Sequence, residues 1–330
     1  MNIKARKVRQ STIDEIGSHL PAEDLYVTRT IEQSDECLDE IVLKRYPLVF
    51  CGGGDGTAMR IIEQLIKHIT RHNAKGGDYT LPTIGILKLG TGNGWAGLLN
   101  TPPKAQPIER IRRGDQIKTT RFNMIRCQER LMHFAGIGVD ARVLNDYINL
   151  KNKYPDGFMW KIANSLAGYL IVIAGITLPN LLRHGVGSPI RVYNDSDDPV
   201  FRVSHAGGVE KTDIKRGDLI EERPMLVAGC ATTPNYGFNL KAYPWADQME
   251  GYMQLRLANP PVVTGMIFHL PSLWAGKYEH EAIRDYFIKK VRMECDSELP
   301  FQMGGDPEGY QKKLSLEVAE ETVEMLDFRP

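Results

Sequence analysis

The spacing of apolar positions along the first hundred residues switches between two periods. In ECLDEIVLKR, residues 36–45, Leu38, Ile41 and Val42 fall on one helical face, and the apolar run YPLVFC that follows ends on three glycines and predicts a short buried strand. Beyond the glycines, Ala58, Ile61, Ile62, Leu65, Ile66 and Ile69 recur at three- and four-residue intervals, the pattern of an amphipathic helix. A polar loop, RHNAKGGDY, and a second apolar run, LPTIGILKL, complete a strand-helix-strand unit, which predicts a parallel sheet flanked by helices. From about residue 120 the pattern becomes short runs (FNMIRC, RLMHFAGIGV, PIRVYN, MLVAGCA, MQLRLA, SLEVAEETVEML) separated by turn residues, with helices at about 156–182 and 260–275. That reads as a mostly antiparallel β domain. The stretch TPPKAQPIERIRRGD, 101–115, precedes the change, so the expected domains are 1–118 and 119–314, with residues from about 315–330 available to pack back on the first.

A chain of 330 residues has room for two cores, which fits this division. Lysine plus arginine number 41 and aspartate plus glutamate 41, so no global field draws the chain to nucleic acid, and an anionic ligand must be held by local geometry. The five cysteines, at 37, 51, 127, 230 and 295, have no CxxC spacing and an odd count. This argues against a disulfide framework or a structural zinc site and points to a reducing cytoplasm. The start, MNIKARKVRQSTIDEI, carries charge throughout and lacks the apolar core of a secretory signal. The run IANSLAGYLIVIAGITLPNLL, 162–182, is uncharged over about the length of a bilayer span, but polar residues and glycines dilute it. It is read first as a helix buried in a folded domain, second as a lipid-facing patch, and last as a membrane span.

Two glycine-dense turns carry the candidate chemistry: GGGDGT at 52–57 and LGTGNG at 89–94, each at the end of a predicted strand. A turn from strand into helix aims main-chain N–H groups and the positive end of the helix dipole at an anion, most often a phosphate. In a parallel sheet both turns would open at the carboxyl edge, where ligands of such sheets bind. Thr57 can cap the helix or bond a phosphate oxygen. Asp55 beside a phosphate is repulsive unless a cation or a shared proton intervenes, which suggests a Mg2+ or water-bridged role. Neither the dinucleotide fingerprint GxGxxG with its later acidic residue nor GxxxxGK[ST] is present. The eight histidines show no HxxxH or HExxH spacing and are read as surface or satisfied core residues.

GGDGT followed by LGTGN resembles the catalytic domain of the diacylglycerol kinase family, which includes bacterial lipid kinases, sphingosine kinases and ceramide kinases. GVDA at 138–141, YGFNLKAYPWADQMEGYMQL at 236–255 and FQMGGDPEG at 301–309 resemble further motifs of that family in matching order. The resemblance implies an α/β nucleotide-binding domain and a C-terminal antiparallel β-sandwich domain with the active site in the interdomain cleft. It also implies transfer of the ATP γ-phosphoryl group to a lipid hydroxyl. Carried onto this chain, Gly53, Gly54, Asp55, Gly56 and Thr57, with Gly90, Thr91, Gly92 and Asn93, would hold ATP; Asp55 would organise Mg2+; Asp140 would contact the acceptor's head group, with a simple turn residue as the alternative; and Asp55 and Asp306 would carry the chemistry.

Three positions depart from the family pattern. Gly94 follows LGTGN where the family has aspartate, Arg121 stands at the start of the domain-crossing strand where it has another, and Gly304 replaces the first aspartate of its DGE turn. The family's N-P-x-x-G strand also has no clear counterpart near residue 1. The expectation is therefore an ATP- and Mg2+-dependent kinase of a lipid alcohol, cytoplasmic, in peripheral contact with the inner membrane face and compatible with a homodimer. An NAD kinase-like enzyme, or a degenerate sensor of nucleotide or lipid that transfers nothing, are the competing readings.

Overall fold

A computed structural model describes the chain except for residues 4, 6, 91, 155–161, 164, 205–206, 237–238 and 262–268, and the side chains of 166 and 270. The chain divides into two units, one of residues 1–122, 237–239 and 321–330, the other of 123–236 and 240–320. In the first, helices α1 (Gln10–Gly17) and α2 (Ile31–Leu43) precede strand β1 (Leu48–Gly53), helix α3 (Asp55–Asn73), strand β2 (Thr83–Lys88) and helices α4 (Gly94–Leu98) and α5 (Gln106–Arg112).

Helix α2 starts where it does because Thr30 caps it: its hydroxyl accepts the Gln33 N–H at 3.2 Å, while the Gln33 side chain accepts the Arg29 N–H at 3.0 Å. The face of Leu38, Ile41 and Val42 is the buried one. On α3 the buried stripe is Ala58, Met59, Ile62, Leu65 and His68, while Ile61, Ile66 and Ile69 are only half-buried. The stripe is turned from the predicted one because His68, 4 % exposed, finds polar partners: Nε2 lies 3.0 Å from Asp35 and Nδ1 2.9 Å from Arg71. Strands β1 and β2 are parallel and in register from Leu48 opposite Thr83 to Gly53 opposite Lys88. The opening residues add a single bridge, Asn2 to Thr28, and the Asn2 N–H bonds the Gly52 carbonyl at 2.9 Å.

The carboxyl-terminal residues return to this unit, where Met325 pairs with Ile84 in parallel. Asp327 accepts from the Thr120 hydroxyl at 2.6 Å and from Arg329 at 2.7 Å. Burial alone would raise its carboxyl, but Arg329 and Thr120 outweigh it and hold the pKa down to about 2, below the ordinary 3.8. A depressed carboxylate stabilises the fold above its ordinary pKa and ceases to do so as pH falls through the depressed value. Asp327→Asn is therefore expected to lower the melting temperature at neutral pH and to narrow its difference from the wild type between pH 3.8 and about 2. Melting curves along that pH series are the check, and a difference independent of pH would contradict it.

The second unit is antiparallel. Strand β3 (Lys118–Cys127) turns into β4 (Arg130–Met132), then follow β5 (Phe134–Gly138), helix α6 (Val139–Lys153), and α7 (Leu166–Val172) joined by one π turn, Ile173–Thr177, to α8 (Leu178–His184). Strands β6 (Ile190–Asn194), β7 (Phe201–Val203), β8 (Val209–Lys211), β9 (Leu219–Arg223), β10 (Val227–Ala231) and β11 (Met253–Ala258), helix α9 (Leu270–Trp274), and β12 (Ile283–Ile288), β13 (Lys290–Met303) and β14 (Asp306–Asp327) complete it, the last residues of β14, from 321, belonging to the first unit. The spatial order is β13-β5-β10-β11-β12-β7-β8; β14 runs along one edge of β13, and β6 shares the opposite edge with β5, pairing with the first half of β13, with β9 beside β6. The predicted helices at about 156–182 and 260–275 fall partly on residues outside those described. Among the described residues no helix is long and apolar enough to cross a membrane.

Inside this unit sits one ion pair that is almost wholly dry. Arg256 Nε and Nη2 each lie 2.8 Å from an oxygen of Asp285, and Gln254 donates to the same carboxylate at 2.7 Å. Gln254 then accepts the Trp245 N–H at 2.9 Å, and Arg256 donates to the Ala242 carbonyl at 2.6 Å, which pins the loop containing Ala242 and Trp245.

Candidate active site

Strand β1 ends at Gly53 and α3 begins at Asp55, with Gly54 in an extended cap conformation. The first intrahelical bond is Ala58 N–H to Gly54 O at 3.0 Å, so the amides of Gly56 and Thr57 precede it and point along the helix axis away from the helix. Gly56 is exposed and Thr57 half-buried. A largely apolar cavity of about 550 Å³ adjoins this turn, with Leu48, Phe50, Thr57 and Arg60 in its wall.

The second turn leaves β2 beside the first. A Cβ on Gly90 would fall 2.3 Å from the Gly54 Cα, so the two turns touch main chain to main chain and any side chain at 90 would force them apart. Both therefore stand at the carboxyl edge of the parallel pair. Asn93 is left-handed at φ 49° and ψ 44° and spends both ends of its amide on Gly90, accepting the Gly90 N–H at 2.9 Å and donating to the Gly90 carbonyl at 3.0 Å. It closes the turn from inside. Thr91 lies outside the described residues.

Asp55 differs from expectation. Its Oδ2 accepts the Gly94 N–H at 2.9 Å and its Oδ1 the Trp95 N–H at 3.1 Å, so one carboxylate caps α4 from the neighbouring turn. Burial pushes its pKa up, against the lowering effect of those two amides. A protein-held Mg2+ needs several oxygen ligands with lone pairs to spare. Here both Asp55 oxygens are engaged, Gly94 has no side chain, Arg121 pairs with Glu324 at 3.3 Å, and no group of three His, Cys, Asp or Glu among the described residues could hold a metal. Asp55 bridges the two turns, and no group of three such ligands stands with it among the described residues, so they form no complete Mg2+ site of their own. Lys88, at the end of β2, is half-buried, which lowers its pKa, as does the nearby charge of Lys7.

In the second unit, Asp140 lies in the first turn of α6 and not in a loop, which removes the simple turn reading. Its Oδ2 accepts from the Tyr236 hydroxyl at 2.9 Å and from Gln302 Nε2 at 3.2 Å, while its Oδ1 is buried without a hydrogen-bond partner among the described residues. Gln302, fully buried, also donates to the Tyr236 oxygen at 3.1 Å and accepts the Gly305 N–H at 3.1 Å. Tyr236 lies against the Phe134 ring, with centroids 4.1 Å apart. Burial raises the Asp140 pKa, opposed by the bond from Tyr236.

Gln302 therefore ties Asp140 to the two-residue hairpin between β13 and β14, in which Gly304 and Gly305 both have positive φ, 59° and 88°, as such a turn demands. Asp306 follows it, exposed as a residue although its carboxyl is partly enclosed. Partial burial of its carboxyl and the neighbouring Glu308 charge raise its pKa, with Arg130 and Lys151 opposing. Glu308 itself is paired with Arg130 at 2.6 Å. Tyr236 and Gln302 were missed in the sequence because neither stands in a recognisable spacing with Asp140; their separations from it are 96 and 162 residues.

Two glycine turns thus meet main chain to main chain at the end of the parallel strand pair. Residues 4–126 match the family model of the diacylglycerol kinase catalytic domain, the family that the motifs resemble. No curated protein matches the chain in sequence. Among solved structures, a Bacillus anthracis str. Sterne protein described as a diacylglycerol kinase is similar with a TM-score of 0.62 at 15 % identity, over 99 % of this chain and 93 % of its own. A further diacylglycerol kinase structure from that organism gives a TM-score of 0.59 at 13 % identity, over 99 % and 94 %. An NAD kinase from Archaeoglobus fulgidus in complex with ATP reaches a TM-score of only 0.43 at 10 % identity, over 97 % of this chain and 90 % of its own, too slight a likeness to carry an argument. At these identities the first two show the fold: a mixed α/β fold of the diacylglycerol kinase kind with a large sheet.

Proposed function

We propose that this chain is an ATP-dependent lipid kinase whose acceptor is a lipid alcohol such as a diacylglycerol, a ceramide or a sphingoid base. The observation that carries the reading is the contact between Gly54 and Gly90, which sets two amide-lined turns at one sheet edge within a stretch that matches the diacylglycerol kinase catalytic domain. The turns would hold the phosphates of ATP, and the cavity beside Thr57 has a volume suited to its nucleoside. Mg2+, if the reaction uses it, would come with the nucleotide and would offset phosphate charge during transfer. In the step itself the lipid hydroxyl oxygen bonds to the γ-phosphorus, the bond to the β,γ-bridging oxygen breaks, ADP leaves, and the hydroxyl proton passes to a carboxylate. Asp306, with its raised pKa, is the residue proposed to take that proton, and Asp140 the one proposed to bond the acceptor's polar head.

The test is incubation of the whole protein with labelled ATP, Mg2+ and a panel of lipid alcohols in detergent micelles. Phosphorylated lipid is expected, and Asp140→Asn, which preserves shape and the bonds from Tyr236 and Gln302, is expected to keep the melting temperature while losing most of the transfer. One alternative has an observation of its own behind it: the missing carboxylates at Gly94, Arg121 and Gly304 fit a sensor that binds ATP and transfers nothing. Clear ATP binding without product from any acceptor would decide for that sensor, and NAD phosphorylation without lipid product would decide for the NAD kinase reading.

A further inference from the structure

Gln302 has a side chain whose two ends can face only one way. It is fully buried on β13, opposite Gly136 of β5. An ionised carboxylate only accepts and a main-chain N–H only donates. The amide nitrogen must therefore face Asp140, where Nε2 lies 3.2 Å from Oδ2, and the amide oxygen must face Gly305, whose N–H it accepts at 3.1 Å. Turned over, the amide would set oxygen against carboxylate and N–H against N–H. The Tyr236 hydroxyl closes the arrangement in the same sense, giving its hydrogen to Asp140 at 2.9 Å and taking one from Gln302 at 3.1 Å.

This one amide joins the two carboxylates proposed for the chemistry. On one side stands Asp140, its Oδ1 buried and without a hydrogen-bond partner among the described residues. On the other stands the hairpin before Asp306, held by the Gly304 N–H on the Phe134 carbonyl at 2.8 Å and by the Gly305 N–H on Gln302. Gly305 has φ 88°, and the residue after it, Asp306, opens β14. Without the bond to Gln302 the Gly305 peptide is free to turn, since glycine has no Cβ to restrain it, and the Asp306 carboxyl turns with it. A donor that reaches Asp140 Oδ1 changes the charge on Oδ2, and with it the strength of the bond from Gln302.

We propose that Gln302 is a positioning residue: through its buried amide, the state of Asp140 sets the position of the hairpin and so of the Asp306 carboxyl. The role rests on the lipid kinase reading for the use of the two carboxylates, but its first test needs neither ATP nor lipid. Amide hydrogen exchange at Gly305 is followed by NMR in the whole protein, with thermal denaturation showing that each variant is folded. Gln302→Met, similar in shape but apolar, is expected to speed Gly305 exchange by about tenfold, because the bond it loses is the one that protects that amide. Neither Tyr236 nor Asp140 bonds Gly305, yet Tyr236→Phe and Asp140→Ala are each expected to speed its exchange by about threefold. In the Gln302→Met background neither is expected to change it further.

A folded Gln302→Met with Gly305 exchange at the wild-type rate would overturn the proposal, as would equal effects of Tyr236→Phe in the two backgrounds. Tyr236→Phe keeps its ring and stands alone if the glutamine variant does not fold; no change at Gly305 in that variant would also overturn it. With ATP and a lipid alcohol that the wild type phosphorylates, Gln302→Met is expected to lower kcat by about tenfold or more and to leave the KM for ATP unchanged. An unchanged kcat would count against positioning. A wild type that phosphorylates no lipid alcohol yet shows the coupled exchange would overturn the kinase reading alone, and an active wild type with uncoupled exchange would overturn the positioning role alone.

Discussion

Asp55→Ala is expected to cost the protein a measurable part of its stability and, under the proposed function, the phosphoryl transfer as well. The two amides that the carboxylate receives, Gly94 at 2.9 Å and Trp95 at 3.1 Å, would lose their acceptor in a setting where water reaches poorly. Leaving two such donors unpaired costs about 2–4 kcal/mol. The second turn would also lose the tie that holds it against the first, and displacement of a phosphate cradle by as little as about 1 Å can cost on the order of 100-fold in rate. Asp55→Asn should fall between the two proteins, since its side chain keeps one acceptor and turns a donor toward the other amide. Thermal denaturation of the nucleotide-free protein separates this bridge from a metal ligand. A bridge lost to alanine lowers the melting temperature with chelator present, whereas a variant as stable as the wild type under chelator would refute the bridging role.

Asp285→Ala is expected to be the most damaging single change in the second unit. The carboxylate is 5 % exposed and takes three hydrogen bonds, two from Arg256 and one from Gln254, which is itself fully buried. Truncation leaves a buried guanidinium without its counter-charge, which costs about 3–5 kcal/mol, or roughly 10 °C in melting temperature for a unit of this size. Arg256→Ala/Asp285→Ala together should cost less than the two single changes added, because the double variant strands no charge. A double-mutant cycle by thermal denaturation reads this directly, and strict additivity would mean that the pair is not coupled in the way the geometry requires.

Parts of this protein were readable along the chain because the forces that set them are local. Glycine after an apolar strand, and apolar residues at helical spacing after the glycine, are enough to place β1, α3 and β2 and both turns, since strand and helix periods show within a few residues. The rotation of α3 onto Met59 and His68 was not readable. A histidine enters a core only where partners wait, and Asp35 belongs to a different helix. Asp140 could be singled out through the GVDA stretch at 138–141, which resembles a family motif, but its state depends on Tyr236 and Gln302, which only the sheet brings to it.

Asp55 draws the same line most sharply. Its sequence context, a carboxylate inside GGGDGT, marks the position as chemically unusual and suggests a cation. Whether a carboxylate holds a metal or a pair of amides depends on which donors reach its lone pairs, and here those donors arrive from residues 39 and 40 positions further on. The order of residues thus determined the two turns, the parallel pair beneath them and the family they resemble. The tertiary structure alone decided that the turns touch and that Asp55 joins them, because both depend on contacts between segments whose separation along the chain carries no signal of their meeting in space.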